Sequence, residues 1–477
     1  MKLPRSRFIL LYAMTLVMPL AATAEAAGRD TDWFVKAGYG VFVHYLEGIQ
    51  NNPEQLHSLG SHTSWEECVR EFDTERFASD VEASGAGYVM FTVMQISRFM
   101  IAPNATFDRI SGYQPGEACA TRDLIEDLYQ SLNKRNIRLM LYWTGDGPRA
   151  DEKAGAAYGC GNPVSKAFVQ KWADTFREYG ERYGDKIAGI WCDGCYSFIG
   201  YDDEKLGILA EGLRAGSDAR IIALNPGVDP GVRSYTPHED YTCGEQNEFF
   251  EVPAERYLDG EQWHILSFLS KTWWAEPGVG YKKGQFAEYV RQVNQRGGVV
   301  SVDVMLFRDG GLDRSQVEAL KAAGVELREG AERPPVPPGN LACRKPSKLL
   351  SLDGSRSLPV NGGAHFPWQG VDGNPDTIAQ AAGEWPWAYE VDLIDTSDVQ
   401  RIKVTFGAGY ATELEVKISA DGTEWNAVGR KDGHDGSPVE FTFTPDAARY
   451  VRVCGIKPDG ENQPGAQMSI AELEVYK

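Results

Sequence analysis

An alternation of eight short apolar segments with helical segments, over about 300 residues, is the feature that most constrains the fold. The eight strand-like segments are Gly40–Tyr45, Gly87–Val93, Arg138–Thr144, Ile187–Cys192, Arg220–Pro226, Tyr241–Cys243, Trp263–Leu269 and Gly298–Leu306. This pattern predicts a parallel (β/α)8 TIM-like barrel over residues 27–330. A doubly wound open sheet is the alternative, but the sequence has no glycine-rich phosphate loop to support it.

The chain changes character after the barrel segment. Residues 331–342 form a proline-rich linker, with four prolines between Arg333 and Gly339. Beyond it, short alternating runs such as Arg401–Phe406 and Glu413–Ser419 are separated by Asp-Gly turns. This pattern of short alternating runs and turns predicts an antiparallel β-sandwich over residues 343–477.

The first 26 residues have the pattern of a signal peptide. Lys2, Arg5 and Arg7 precede the apolar run Phe8–Ala22, and alanines at 22, 24 and 26 offer cleavage sites. We therefore expect a secreted or periplasmic protein. No later apolar run reaches about 18 residues, so no transmembrane segment is expected in the mature chain.

The net charge and the cysteine content indicate which partners and which covalent bonds are expected. The net charge of −20 argues against nucleic acid as a partner. In an oxidising compartment some of the eight cysteines are expected to pair, and Cys343 and Cys454 are placed to staple the last domain. Cys192 and Cys195 form a C-x-x-C, which is either a redox or metal pair or part of a strand and turn.

Asp193 follows the fourth predicted strand directly. In a (β/α)8 barrel the carboxyl ends of the strands hold the active site, so an acid at this position is a candidate catalytic residue. The alternative is a structural role, in which Asp193 closes a turn with Gly194.

Three motifs in barrel order carry a resemblance to a known family. WFVKAGYGVFVHY, IWCDG and GGVVSVDV, within residues 30–325, resemble the α-L-fucosidase family of glycoside hydrolases, family 29. AHFPWQGVDGNPDT, WAYEVDL and SIAELEVY resemble the discoidin-like, coagulation-factor 5/8 C-type domain that many carbohydrate-binding modules share. The resemblance implies a glycan substrate and a discoidin-like jelly roll for the sandwich.

The resemblance also implies a mechanism and its residues. A retaining, exo-acting glycosidase needs a nucleophilic carboxylate, which Asp193 matches, and a second carboxyl as acid/base. Glu245 best resembles the family's proposed acid, and Glu239 and Glu248 are the other candidates. The alternative for Glu245 is a solvated acid in an acidic loop. His44 matches the histidine that binds sugar hydroxyls in the family. No cofactor is implied for catalysis.

The candidate substrate-binding residues include one departure from the family. Where the family has Lys-His-His-Asp-Gly-Phe, this chain reads Met94-Gln95-Ile96-Ser97-Arg98-Phe99. We therefore hypothesise that Gln95 and Arg98 recognise a modified sugar, for example a sulfated one, unless Arg98 forms a salt bridge with a barrel acid. The aromatic candidates for the walls of the site are Trp143, Trp191, Trp273 and Trp274.

The C-terminal segment has candidate sites of its own. Asp372, Asn374, Thr377 and Glu472 resemble the structural calcium site of discoidin-like domains, and the alternative is a turn without metal. His365, Trp368, Trp385 and Trp387 lie on expected loops, where exposed aromatic rings stack on sugars.

Two other functions stay open at this point. The barrel is either an active glycosidase or a barrel that has lost its catalytic activity and binds carbohydrate. The absence of the two histidines of the family motif favours the second alternative. The third reading is an α-galactosidase-like hydrolase, which the galactose-binding relatives of the C-terminal domain support.

Overall fold

The computed structural model describes residues 30–228, 231–282, 284–329, 337–360, 365–382, 386–458 and 468–477. The proposed signal peptide, Trp385 and the first half of the proline-rich linker lie outside these residues. The described chain forms a parallel α/β unit followed by an antiparallel β unit, as the sequence pattern predicts.

A parallel sheet of seven strands forms the first unit. Its strands, whose bounds follow, lie in the order β5-β4-β3-β2-β1-β9-β8, and all the paired neighbours are parallel. They are β1 Tyr39–Val43, β2 Tyr88–Thr92, β3 Arg138–Thr144, β4 Ile187–Asp193, β5 Ile221–Leu224, β8 His264–Phe268 and β9 Val299–Asp303, and β6 Tyr257–Leu258 and β7 Glu261–Gln262 form a separate hairpin.

Residues 240–246 close the sheet into a barrel. The Asp240 N–H donates to the Ile222 carbonyl in β5 at 2.8 Å, and the Gln246 N–H donates to the Leu266 carbonyl in β8 at 2.9 Å. The segment thus takes the place of the sixth barrel strand. The short strand predicted at Tyr241–Cys243 is present only as isolated bridges, of Tyr241 to Gln262 and of Glu245 to Leu266.

Helices cover the outside of the barrel. They are α1 Asp32–Ala37, α2 Glu47–Gln50, α3 Trp65–Glu71, α4 Thr74–Ser84, α5 Ala105–Ser111, α6 Leu124–Asn133, α7 Glu152–Tyr158, α8 Lys166–Tyr183, α9 Asp203–Arg214, α10 Gln285–Asn294 and α11 Arg314–Glu329. Short polar side chains cap seven of them by accepting N–H groups of the first turn, namely Ser64, Asp73, Asn104, Asp123, Asp151, Ser165 and Asp202.

Alternation along the strands separates two apolar cores. In β3, Met140 and Tyr142 face the barrel interior, and Leu139 and Leu141 face the helices. Successive side chains of a strand point to opposite faces, so the same rule directs Trp191 into the barrel. The next residue with this orientation is Asp193, at the end of β4.

The C-terminal unit is an antiparallel sandwich. Its strands are β10 Ser347–Ser351, β11 Trp387–Phe406, β12 Ala411–Ser419, β13 Asn426–Asp432, β14 Val439–Pro458 and β15 Ile470–Tyr476. β11 and β14 are long, and their pairing is interrupted by register shifts between Asp392 and Ser397 and between Val399 and Arg401. Each long strand therefore serves both layers, which is how one hydrogen-bonded sheet folds over a common core.

The barrel and the sandwich contact each other through aromatic side chains. The rings of Tyr281 and Phe366 stack with centroids 5.6 Å apart, and Tyr289 approaches Trp368 at 6.1 Å. Such contacts exclude water from the boundary, so the sandwich is packed against the barrel.

None of the eight cysteines forms a disulfide bond in the structure, so the pairing expected for Cys343 and Cys454 is not formed. The sulfur atoms of Cys192 and Cys195 lie 3.7 Å apart and are fully buried. Within the described part of the chain, no helix has the length and apolarity needed to cross a membrane.

Gly244 is the residue that permits the irregular sixth segment. Its φ is +63°, and a Cβ atom would lie 2.0 Å from the His264 carbonyl oxygen. We expect Gly244→Ala to lower the free energy of unfolding in urea by about 3 kcal/mol. Gly60 is the matched control, because it has a φ of +76° and open space around it. Gly60→Ala should cost only about 1 kcal/mol, and equal losses would show that the close approach at Gly244 is unimportant.

Candidate active site

A cavity of about 180 Å³ lies at the carboxyl ends of the barrel strands. Pockets for drug-sized ligands measure about 300–1,000 Å³, so this one suits a single small ring. Its lining residues are Phe42, His44, Gln95, Tyr142, Trp191, Asp193, Glu245, Leu266, Trp273 and Trp274. The cavity thus brings together the favoured acid/base, Glu245, and six other residues predicted from the sequence, namely His44, Gln95, Trp191, Asp193, Trp273 and Trp274.

Asp193 is held by four hydrogen bonds. Its Oδ1 accepts from the Gly194 N–H at 2.8 Å, the Tyr196 hydroxyl at 2.9 Å and the Asn225 amide at 2.9 Å. Among the described residues, its Oδ2 accepts only from the Tyr142 hydroxyl, at 2.8 Å. The carboxylate is therefore fixed in orientation, and Oδ2 keeps lone-pair capacity that Oδ1 has largely used.

Asn225 joins the two carboxyls of the cavity. Its Nδ2 lies 2.9 Å from Asp193 Oδ1 and 2.7 Å from Glu245 Oε2. The separation of these two oxygens therefore cannot exceed the sum of those distances. The amide cannot be reversed without loss, because Oδ1 of Asn225 accepts the Gly227 N–H at 3.0 Å.

The pKa of Glu245 is raised to about 7. Burial of the carboxyl is the main cause, the negative charge of Asp193 adds to it, and the hydrogen bond from Asn225 opposes both. Near neutral pH this group exchanges a proton readily, which is the property that acid/base catalysis needs.

His44 is oriented by a buried acid. Its Nδ1 lies 3.1 Å from Oδ1 of Asp303, which has no exposed surface at the end of β9. Burial raises the pKa of Asp303, and the adjacent imidazole lowers it. The pairing fixes the ring so that its other nitrogen is available to a ligand in the cavity.

Gln95 contacts the cavity through Tyr142. Its Nε2 donates to the Tyr142 hydroxyl at 2.9 Å, and that hydroxyl donates to Asp193. Gln95 therefore supports the tyrosine that orients Asp193, and its carbonyl oxygen remains as an acceptor.

Trp191, Trp273 and Trp274 lie in the lining of the cavity, and their binding of a sugar stays a prediction. Trp191 stacks on Tyr142 with ring centroids 5.6 Å apart, and Trp274 is 51% exposed at the mouth. The prediction for Trp143 is wrong. It packs against Trp172 at 4.6 Å in the helical layer, because its neighbour Tyr142 takes the inward face of β3.

Arg98 lies outside the cavity, contrary to the hypothesis that it recognises a charged sugar. Its Nη1 donates to Oδ2 of Asp151 at 2.8 Å, and its guanidinium carbon lies 4.3 Å from the Phe99 ring centroid. The alternative, a salt bridge with a barrel acid, is therefore the one observed. Among the described residues that line the cavity there is no lysine or arginine.

The other two candidate acids lie elsewhere. Glu239 is buried and accepts the N–H groups of Leu224 and Tyr235, so it holds the backbone beside β5. Glu248 lines a different cavity, between the barrel and the sandwich. In the part of the chain that the structure describes, neither shares a hydrogen-bond donor with Asp193.

Asn225, Tyr142 and Tyr196 were not selected from the sequence. Asn225 lies near the end of the predicted strand Arg220–Pro226 and directly follows the observed β5, so its position at the rim of the barrel could have identified it. Tyr196 lies in a loop, where strand alternation gives no information.

In the sandwich, the predicted calcium ligands lie close together, whereas the predicted sugar-stacking tryptophans that the structure describes are buried. Asp372 and Thr377 are in direct contact, with the hydroxyl donating to Asp372 Oδ2 at 2.9 Å, and Asn374 donates its N–H to Asp372 Oδ1 at 2.8 Å. Glu472 is 6% exposed, and its Oε1 has no partner in the described structure. Trp368 and Trp387 are buried and His365 is half-buried beside the barrel, so these tryptophans are core residues rather than exposed platforms.

Burial raises the pKa of Asp372 to about 7 and that of Glu472 to about 8, and the charge of Asp372 adds to the shift of Glu472. Burial is the main cause of both shifts, and the positive charge of Arg344 opposes them. An oxygen-rich set with one unpartnered carboxylate oxygen in the described structure fits a hard cation such as calcium.

Two family models match the sequence. The model described as alpha-L-fucosidase matches residues 21–329, and the model of the NedA-like, galactose-binding domain matches residues 369–453. A comparison with curated proteins found no match.

Solved structures similar to this chain include both kinds of unit. A family 29 fucosidase from Ruminococcus gnavus in complex with fucose has 14% identity and a TM-score of 0.43, over 94% of this chain and 95% of its own. A chitosan-binding module from Paenibacillus sp. IK-5 has 30% identity and a TM-score of 0.25, over 29% of this chain and 98% of its own.

The raised pKa of Glu245 predicts a pH dependence of stability. The folded state retains a proton that the unfolded state, with its ordinary glutamate, releases from about pH 4.5. Stability from this group is therefore present at pH 5 and is lost as pH rises through 7. Between pH 5 and 8 we expect the free energy of unfolding to fall by about 1–3 kcal/mol more in the wild type than in Glu245→Gln.

The matched control is Glu318→Gln, which changes an exposed glutamate on α11. It should follow the wild type across the same range of urea titrations. A wild type and Glu245→Gln with parallel pH profiles would contradict the raised pKa.

Proposed function

The chain belongs to the α-L-fucosidase family of glycoside hydrolases, and from this we propose that it is an exo-acting, retaining hydrolase of α-L-fucosides or of a closely related sugar. The observation that carries the proposal is the amide of Asn225 between the carboxyls of Asp193 and Glu245. Carboxyl groups about 5–5.5 Å apart are typical of retaining glycosidases, and inverting enzymes need about 6.5–9.5 Å to admit a water molecule. The hydrogen-bond distances to Asn225 support the shorter spacing.

In the first step Asp193 acts as the nucleophile. Oδ2, which carries one hydrogen bond, attacks the anomeric carbon while the bond from that carbon to the leaving oxygen breaks. Glu245, protonated because its pKa is about 7, donates its proton to the leaving oxygen. The products are a glycosyl ester on Asp193 and a free hydroxyl on the leaving group.

In the second step Glu245 acts as a base. Esterification removes the negative charge of Asp193, which is one of the two causes that raise the pKa of Glu245. The pKa of Glu245 therefore falls in the intermediate, and its carboxylate takes a proton from water. That water attacks the anomeric carbon, releases Asp193 and gives the sugar with its original configuration.

The substrate is a neutral sugar in this proposal. The cavity of about 180 Å³ suits one terminal ring, and its described lining has no cationic side chain for a sulfate. His44 is positioned for a sugar hydroxyl, and Gln95 offers an acceptor where the family has histidines. The signal-like N-terminal sequence supports action outside the cytoplasm.

We also propose a structural calcium ion in the sandwich. Asp372 and Glu472 would supply carboxylate oxygens, with Asn374 and Thr377 as neutral oxygen ligands. The ion would allow both buried carboxyls to ionise and would hold the start of β15 to the turn at Asp372.

Chemical rescue of two variants tests the catalytic assignment. Asp193→Ala should lower kcat on an aryl α-L-fucoside by at least about a thousandfold. Azide should restore turnover and give a fucosyl azide of inverted configuration, because the small anion fills the space of the lost carboxylate. Glu245→Ala should lose about 10²–10⁴ in rate on a poor leaving group, and azide should give the retained product. Nuclear magnetic resonance of the products distinguishes the two.

Glu318→Ala is the control and should behave as the wild type. If Asp193→Ala kept its activity, or if the wild type left a panel of aryl α- and β-glycosides unhydrolysed, the proposed function would be wrong.

Thermal unfolding tests the calcium site. After treatment with chelator, added calcium should raise Tm of the wild type by about 5 °C or more when it is a hundredfold above Kd. Glu472→Gln should show little response, because it loses a charged ligand but keeps the side-chain shape. An unchanged wild-type Tm would remove the calcium proposal.

A further inference from the structure

A second cavity, of about 330 Å³, lies between the barrel and the sandwich. The barrel contributes Val228, Asn247, Glu248 and Phe250, and the sandwich contributes Leu358 and Pro359. Its volume falls within the range of small-molecule sites, and nothing in the catalytic proposal uses it.

The two cavities share a wall. Glu245 lines the first cavity, and the residues that follow it, through Glu248, line the second. In addition, the indole nitrogen of Trp273, a wall of the first cavity, donates to Asn247 Oδ1 at 3.0 Å. The second cavity is therefore the neighbour of the first on the side of Glu245.

The role of Glu245 as general acid determines which part of the substrate lies on the side of Glu245. A general acid must lie within hydrogen-bond distance of the leaving oxygen, so the leaving group extends from the terminal sugar past Glu245. We propose that the second cavity binds the leaving-group sugar, and that the sandwich forms one wall of this subsite. The inference rests on the proposed function, since it assumes that Glu245 is the acid.

The lining indicates a neutral pyranose. Val228, Phe250, Leu358 and Pro359 offer apolar surface to the face of a ring, and the Asn247 amide and the Glu248 carboxyl offer partners for hydroxyls. The Glu248 carboxyl would repel a sugar acid or a sulfate at this position.

The sandwich wall is held in place by the contacts at the domain boundary. The stacked rings of Tyr281 and Phe366 and the approach of Tyr289 to Trp368 join the two units. The wall is thus part of the folded enzyme, and a sandwich carried on a free linker would be unable to provide it.

Two bulky substitutions, one on each wall, test the subsite. Val228 is 48% exposed and Pro359 is exposed, so Val228→Trp and Pro359→Trp fill the cavity without entering a core. The substrates are α-L-fucosyl fluoride, whose leaving group needs no sugar subsite, and a set of α-L-fucosyl disaccharides of different linkage. Val325→Trp on α11 is the matched control, because Val325 is 37% exposed and lines neither cavity.

We expect kcat/KM for the best disaccharide to fall at least about tenfold in both wall variants, corresponding to about 1.4 kcal/mol of lost transition-state stabilisation. The fluoride should be hydrolysed within twofold of the wild-type rate, and Val325→Trp should change neither substrate. Equal losses on fluoride and disaccharide, no loss on either, or a wild type that hydrolyses the fluoride but no disaccharide would overturn the subsite. A wild type that hydrolyses no fluoride would instead refute the proposed function.

Discussion

The amide of Asn225 is the interaction on which the rest of the site depends. A single nitrogen donates to both carboxyls, so it fixes the distance between Asp193 and Glu245. Its own direction is fixed because the amide oxygen accepts the Gly227 N–H. The pKa of Glu245 is raised mainly by burial of its carboxyl, and the negative charge of Asp193 adds to the shift, whereas the hydrogen bond from Asn225 opposes both. One neutral group thus sets the spacing of the two carboxyls, and their surroundings set the proton affinity of Glu245.

The barrel supplies this arrangement through strand alternation. The rule that turns Trp191 inward in β4 places Asp193 above it, and the rule that turns Tyr142 inward in β3 brings a hydroxyl to the same carboxylate. Glu245 comes from the one position in the ring that is not a regular strand. The left-handed conformation of Gly244 and its close contact with the His264 carbonyl direct the chain there. The nucleophile is therefore on a rigid element and the acid on an irregular one.

Local pattern and resemblance predicted the barrel, the sandwich and the rim positions of Asp193 and His44. The prediction for Trp143 was wrong because successive side chains of a strand point to opposite faces, and only those that point into the barrel reach the site. Trp143 points towards the helices. Arg98 was misassigned because its partner, Asp151, is 53 residues away in sequence and is known only from the folded chain. Asn225 was not predicted although it directly follows β5, because an uncharged amide is not a typical catalytic residue. The cavity at the domain boundary is lined by residues of both units, so no pattern within one segment of the sequence predicts it.

Trapping of the covalent intermediate tests the central claim most directly. A 2-deoxy-2-fluoro-α-L-fucosyl fluoride should form the glycosyl ester at a useful rate and hydrolyse slowly, because fluorine at C2 destabilises both oxocarbenium-like transition states and the fluoride leaves without help from an acid. The account predicts one added fluorosugar in the intact mass, on the peptide that contains Asp193. A label on Glu245 or on any other residue would contradict it, as would turnover of natural substrate without a label under these conditions.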